Sequence, residues 1–262
     1  MVKAADGSAT YLYCLVHHRR PPSLRSAPRG LPGTSNVRVL EAGDDLWLVT
    51  ADAPLNRYGS APIERGLKDL RWVSACAMSH QGVVEHFSRA ATVIPMKLFT
   101  LFASDERALA HVRRQRGRLR RLARRIGGRQ EWGVRVTWSE DEVRAGRQSS
   151  GRAPTGGRGT AFLLRKLELR ELVARRRQDA ARAADQLYRR LTRLADQSRR
   201  QPIAEASGGV RILLDAAFLV PVSRAARFRA AVKRLLPDLT RAGVRATVSG
   251  PWPAYTFVAG SR

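Results

Sequence analysis

The sequence predicts a mixed α+β fold with two lobes, and three observations lead to that prediction. The chain has 262 residues, and at roughly 100–200 residues per domain this length fits one large domain or two small ones. Segments with the composition of strands alternate with segments of helical periodicity along the chain. Residues 145–159 are rich in Gly, Ser, Pro and Arg without apolar periodicity, which marks a variable loop or linker. We therefore expect an N-terminal α+β domain at 1–128 and a C-terminal α+β domain at 129–262.

The first elements of the N-terminal domain are predicted strands. The segment TYLYCLVH at 10–17 is rich in β-branched and aromatic residues, which favours a strand, and a polar loop at 19–35 follows it. VRVLE at 37–41 and LWLVTAD at 46–52 flank the turn residues 42–45, so they predict a β-hairpin.

Two helices separated by a short extended segment complete this domain. The first is predicted over 64–89, and the second begins after Ser104, a good N-cap, and ends at Gly127-Gly128. The segment between them, 91–100, is extended, and Pro95 indicates an edge strand or a strand end. The apolar face predicted for the first helix consists of Leu70, Val73, Ala77, His80, Val84 and Phe87. The buried stripe predicted for the second consists of Leu109, Val112, Leu119, Leu122 and Ile126.

The C-terminal domain is predicted to follow the order β, long α, β, α, β, which resembles a split βαβ or ferredoxin-like arrangement. The predicted elements are strands at 131–138, 210–221 and 244–250, a long helix at 161–200 ended by Pro202, a helix at 224–242 and an extended tail at 250–258. The apolar seam of the long helix repeats like that of a coiled coil, so packing onto a sheet and packing as a self-contained coil both remain open. That seam consists of Val173, Ala180, Ala184, Leu187, Leu191 and Leu194.

The chain is strongly basic, with 48 Lys and Arg against 22 Asp and Glu and a net charge of +26. Much of this charge lies in the helical stretches 105–130 and 161–200. It is consistent with a surface for nucleic acid or an acidic partner, and also with helix faces that are simply solvated. The second interpretation is favoured because no aromatic residues interrupt the arginine runs. It is also favoured by carboxylates one turn before arginines, in the pairs Glu171–Arg175, Asp185–Arg189 and Asp196–Arg200.

Residues that could carry chemistry are scarce. Two cysteines, Cys14 and Cys76, cannot form a disulfide framework or a four-thiolate metal site, and they indicate the reducing cytoplasm. The five histidines have no metal-ligand spacing, and His80 is expected to be hydrogen-bonded and half-buried. No phosphate-binding glycine motif and no apolar run long enough to cross a membrane is present. We therefore expect no enzymatic activity, no cofactor and no metal.

Two apolar segments that contain proline are the most informative motifs, TVIPMKLFT at 92–100 and GPWPAYTFV at 250–258. In the second, Pro251 and Pro253 restrict the backbone and fix the orientation of Trp252 and Tyr255. Such a tail either seals the core or forms an aromatic anchor for a partner.

These two blocks belong to a set of segments that resembles the gas vesicle protein family GvpL/GvpF. The others are YLYCLV at 11–16, His80-Gln81 with Val83-Val84-Glu85, GRQEWGVRV at 128–136, GTAFLLRK at 159–166 and DAAFLVP at 215–221. The resemblance implies a two-domain α+β structure with a ferredoxin-like C-terminal part. It also implies a non-enzymatic protein that contacts the hydrophobic shell subunit and other accessory proteins during nucleation or assembly of gas vesicles, or is a minor shell component.

The residues expected at the partner contact are Pro95, Lys97, Pro251, Trp252 and Tyr255. The alternative function is a basic nucleic-acid-binding protein that uses the arginine-rich helices at 105–130 and 161–200.

Overall fold

The chain folds into two compact units that are joined near residue 129 and again near residue 252. The computed structural model describes residues 7–141, 160–203, 210–241 and 244–258. Of these, unit 1 contains 7–129 and 252–258, and unit 2 contains those between 130 and 251. The predicted variable loop at 145–159 lies outside the described residues. Residues 252–258, which the sequence-based division assigned to the C-terminal domain, belong to unit 1.

The core of unit 1 is an antiparallel sheet with helices on both faces. Its strands are β1 (Ser8–His17), β2 (Arg38–Gly43), β3 (Leu46–Pro54), β4 (Thr92–Pro95) and β5 (Leu101–Phe102). Its helices are α1 (Leu55–Tyr58), α2 (Ser60–Gly66), α3 (Leu70–Ser88), α4 (Asp105–Arg114) and α5 (Arg116–Ile126). The strand order is β2-β3-β1-β4, and β5 also pairs with β1. The predicted hairpin is therefore confirmed, and so is the edge position of the strand that ends at Pro95.

Strand β1 separates the two sides of unit 1, because successive side chains of a strand point to opposite faces. Tyr11 and Val16 pack in the core that α3 covers. Leu12 and Leu15 instead line a cleft with residues of α4 and α5. The pairing of β1 with β3 shifts register between Leu12 and Cys14, so the alternation changes at that bulge.

Both helices predicted for the N-terminal domain are divided in two. In place of one helix over 64–89, α3 begins at Leu70 because the side chain of Asp69 accepts hydrogen bonds from the backbone N–H groups of the first turn. Leu70 was expected on the buried face but is 79% exposed. The helix after Ser104 is interrupted at Gln115, close to Gly117, a residue of low helix propensity. Ser104 is confirmed as its N-cap.

Unit 2 is built on a second sheet. Its strands are β6 (Arg129–Ser139), β7 (Gln197–Arg200), β8 (Val210–Pro221) and β9 (Val244–Trp252), and its helices are α6 (Thr160–Thr192) and α7 (Ala225–Arg241). The sheet order is β7-β8-β6-β9. The described core combines one face of this sheet with the seam of α6 and with Phe228 and Val232 of α7. The seam therefore packs onto a sheet and not as a self-contained coil.

Two predictions for this half of the chain are wrong. The long helix ends at Thr192, and residues 197–200 form a strand because β8 offers them a pairing edge. The tail is not extended throughout, since Tyr255–Val258 form a helical turn, α8, after Pro253. The backbone N–H of Val258 donates to the carbonyl oxygen of Ala254 at 3.1 Å, which closes this turn.

Candidate functional site

The two proline-bearing segments converge on the middle of α3, although they are far apart in sequence. The carbonyl oxygen of Met96, next to Lys97, lies 3.2 Å from Nε2 of His80. The hydroxyl group of Tyr255 donates to Oε1 of the next residue, Gln81, at 2.8 Å. Consecutive residues of one helix therefore hold both segments, which places Lys97 and Tyr255 in the same part of unit 1.

His80 is a neutral histidine with a defined tautomer. It is 4% exposed, and burial lowers its pKa from 6.5 to about 4. A carbonyl oxygen can only accept, so Nε2 carries the proton and donates to Met96. Nδ1 then accepts from the hydroxyl group of Tyr11 at 2.8 Å. The prediction of a hydrogen-bonded histidine is confirmed, although the side chain is buried more completely than expected.

The turn that carries Lys97 is held by the same network. The backbone N–H of Phe99 donates to the hydroxyl oxygen of Tyr11 at 3.2 Å. Phe99 has φ 61°, a left-handed conformation that is uncommon for a bulky residue. Its ring stacks on Trp72 of α3 with centroids 5.2 Å apart. Lys97 is exposed within this turn, and its carbonyl oxygen accepts from Oγ1 of Thr100 at 2.7 Å.

Two residues of α8, Tyr255 and Phe257, anchor the tail to unit 1. Phe257 is buried, and Nη2 of Arg125 donates to its carbonyl oxygen at 2.8 Å. Tyr255 packs against the unit 1 core through its ring while its hydroxyl group reaches Gln81. Trp252, three residues earlier, stays 40% exposed. The tail thus combines buried anchors with one exposed aromatic side chain.

The remaining two predicted contact residues, Pro95 and Pro251, are not held by α3 as Lys97 and Tyr255 are. Pro95 is buried opposite Cys14 in the pairing of β1 with β4, so its side chain belongs to the core and offers no contact surface. Pro251 is exposed and is the last residue of unit 2.

Sequence reasoning missed the exposed apolar residues of α3 and of the segment before it. Met78 is 75% exposed, and it lies two i,i+4 steps from Leu70 on the same side of the helix. Leu67, just before α3, is exposed as well. The only signal in the sequence was that Met78 and Leu67 fall outside the predicted buried stripe.

The described residues show little that could perform chemistry. Across 7–141, 160–203, 210–241 and 244–258, no group of three or more His, Cys, Asp and Glu side chains could hold a metal ion. Cys14 and Cys76 are free, and burial raises the pKa of both thiols, which keeps them protonated and unreactive. No helix in the described part of the chain is long and apolar enough to cross a membrane.

These observations define a mixed α+β protein with exposed apolar side chains on α3, just before it and in the tail. A family model described as gas vesicle synthesis protein GvpL/GvpF matches residues 9–259. The chain therefore belongs to the GvpL/GvpF family, as the sequence blocks indicated.

Similar proteins are gas vesicle proteins as well. The chain is 30% identical to gas vesicle protein L of Streptomyces sp. (strain CB03234) over 240 residues, which cover 88% of this chain and 86% of that protein. It is 27% identical to gas vesicle protein L2 of Halobacterium salinarum, over 97% of this chain and 93% of the relative. The fold is similar to the crystal structure of GvpF from Anabaena sp. PCC7120, with a TM-score of 0.67, 19% identity and coverage of 97% and 98%.

Proposed function

We propose that this chain is a non-enzymatic accessory protein of gas vesicles that binds the hydrophobic shell subunit. Membership of the GvpL/GvpF family supports the gas vesicle role. The binding would accompany nucleation or assembly in the cytoplasm, together with other accessory proteins, or would hold the chain as a minor shell component. The nucleic-acid alternative receives no support from the family or from the relatives.

The observation that carries the proposal is the set of exposed apolar side chains of unit 1 that lie on α3, just before it and in the tail that α3 holds, and we call this set the α3 surface. It consists of Leu67, Leu70, Met78 and Trp252. Gln81 lies one helical turn after Met78 and holds Tyr255. Trp252 is three residues from Tyr255, and three residues span at most about 11 Å, so the tail keeps Trp252 near the middle of α3.

The α3 surface suits a strongly apolar partner. A subunit with an exposed apolar face aggregates unless that face is covered. The α3 surface offers apolar area to such a face, while the net charge of +26 keeps a complex dispersed in water. Lys97 adds an aliphatic stem with a charged end, which can lie along the edge of an apolar contact.

Recovery of the shell subunit by the immobilised full-length chain tests this proposal. We expect Trp252→Ala and Met78→Ser to reduce recovery severalfold, because each removes exposed apolar area while leaving the buried anchors in place. The matched control is Leu167→Ala, an exposed apolar residue of α6 in unit 2. Unchanged recovery with both folded α3 variants refutes this contact surface, and failure of the unaltered chain to recover the subunit refutes the function.

We also infer that the two units are separate domains and that unit 2 is ferredoxin-like. The described elements of unit 2 follow the order β-α-β-β-α-β. The first and third of these strands, β6 and β8, are neighbours at the centre of the sheet. Two interleaved βαβ units produce this order, which supports the ferredoxin-like assignment.

A further inference from the structure

We propose that unit 1 has a second docking site, the cleft between its sheet and helices α4 and α5, and that its occupant is an acidic amphipathic segment of another protein. The cleft has a volume of about 160 Å³. It lies on the sheet face opposite α3, so it is distinct from the α3 surface.

The floor of the cleft is apolar. Leu12, Leu15 and Ile94 contribute from the sheet, and Val112 and Leu122 from the helices. An apolar cavity of roughly 150 Å³ is large enough to hold a benzene-sized group, so this cleft has room for an inserted apolar side chain. At its opening, Phe102 and Leu119 are only partly buried.

The rim of the cleft is polar and basic. It lies at the break between α4 and α5, where Nε2 of Gln115 is 2.7 Å from Nε2 of His111. Nη1 of Arg118 donates to Oε1 of Gln115 at 3.3 Å. Two hydrogen bonds thus hold the exposed guanidinium group of Arg118 beside an apolar opening, where its N–H groups can donate to a partner's carboxylate.

Among the described residues, most of the positive charge on the helix sides near the cleft has no carboxylate partner, and Arg116, 3.8 Å from Asp44, is the exception. Within the part of the chain that the structure describes, no Asp or Glu makes a salt bridge with Arg114, Arg118 or Arg121, the arginines on the helix sides nearest the cleft. By helical periodicity, Arg113, Arg120 and Arg124 lie on the opposite sides of these helices. The carboxylate of Asp105, at the start of α4, is engaged by Arg38 at 2.7 Å. Arg114, Arg118 and Arg121 lie along the junction of the two helices over about 10 Å, a span that fits a polypeptide segment better than a small molecule.

Charge complementarity selects the occupant. An acidic segment would meet the free arginines, and its apolar side would fill the cleft. A second copy of this chain is disfavoured because each copy carries +26. A nucleic acid would use the arginines, but the thymine methyl group is too small to fill a leucine-lined cleft of about 160 Å³.

Fluorescence anisotropy with the full-length chain tests the proposal. The probe is an 18-residue labelled peptide with Leu on one helical face and Glu on the other, used in 150 mM NaCl. One control peptide replaces Leu by Ser, and the other replaces Glu by Lys. We expect the Leu/Glu peptide to bind at least tenfold more tightly than either control, because only that peptide satisfies both the cleft and its rim. Equal binding of the Ser control, or no binding of the Leu/Glu peptide, overturns the proposal.

Variants of the chain locate the binding. Leu119→Ser and Arg118→Glu should each weaken binding of the Leu/Glu peptide roughly tenfold, while Arg177→Glu on α6 and Trp252→Ala should leave it unchanged. Because Arg118 is exposed, its variant is informative even if Leu119→Ser unfolds the chain.

If Arg118→Glu leaves peptide binding unchanged, the cleft is not the binding site and the proposal is wrong. If random-sequence duplex DNA displaces the peptide and folded Leu119→Ser binds normally, the surface binds phosphates and the proposal is wrong. Failure here leaves shell subunit recovery unaffected, so the two proposals are tested separately.

Discussion

The buried neutral state of His80 predicts that unit 1 loses stability in mildly acidic solution. Burial lowers the pKa of His80 from 6.5 to about 4, so the unfolded chain takes up a proton at a higher pH than the folded chain. The contribution of neutral His80 to the free energy of unfolding is therefore fully present above pH 6.5 and is lost as the pH falls from 6.5 towards 4. Since the side chain is 4% exposed, solvent screens this effect little.

The magnitude follows from the two pKa values. Between pH 7.5 and pH 5, proton uptake by this residue in the unfolded state should lower the free energy of unfolding by about 2 kcal/mol. His80→Gln is the appropriate variant, because its amide can still accept from Tyr11 and donate to the carbonyl oxygen of Met96 but does not titrate. The variant should therefore lack this part of the pH dependence.

Urea unfolding of both proteins at several values between pH 7.5 and pH 5 measures the difference. Other titrating groups contribute equally to both proteins, so the difference between the two curves isolates His80. We expect the advantage of the unaltered chain over His80→Gln to shrink by about 2 kcal/mol over this interval. Parallel curves would refute the reasoning, as would an NMR titration in which the His80 ring protonates near pH 6.5.

Two further predictions concern the tail and the thiols. Tyr255→Phe removes the hydrogen bond to Gln81, so the free energy of unfolding, measured by urea unfolding, should fall by about 1 kcal/mol. An unchanged value would show that this hydrogen bond does not anchor the tail. Cys14 and Cys76 are buried, so Ellman's reagent should react with two thiols promptly in denaturant but very slowly with the folded chain. A prompt reaction of either thiol in the folded chain would contradict this burial.

Local patterns predicted the elements whose stability depends on their own sequence. Ser104 was recognisable as an N-cap because capping uses neighbouring residues. The strand at 210–221 was predicted with the bounds that the structure has, since its long apolar run is buried in unit 2. By contrast, β7 has the polar sequence QSRR, and its conformation is set by pairing with β8.

Contacts between residues far apart in sequence could not be predicted from local sequence patterns. The spacing of Asp185 and Arg189 suggested a helical ion pair, yet Arg200 reaches Asp185 at 2.6 Å because β7 turns back along α6. Glu171–Arg175 forms as expected, at 3.6 Å. The candidate site depends on the same kind of contact, since neither Lys97 nor Tyr255 has any sequence signal that directs it to α3. The composition of the two segments suggested a contact role, but only the fold brings them together.

The architecture of unit 1 connects its two proposed surfaces. Tyr11 faces the core beneath α3, whereas the adjacent Leu12 lines the cleft beneath α4 and α5. A sheet with helices on both faces can therefore present one polypeptide-binding surface on each side. Because the surfaces share no side chain, variants on opposite faces should act independently. A chain with both Trp252→Ala and Arg118→Glu should lose shell subunit recovery and peptide binding together, while each single variant loses one. Loss of both activities in a folded single variant would mean that one surface serves both partners.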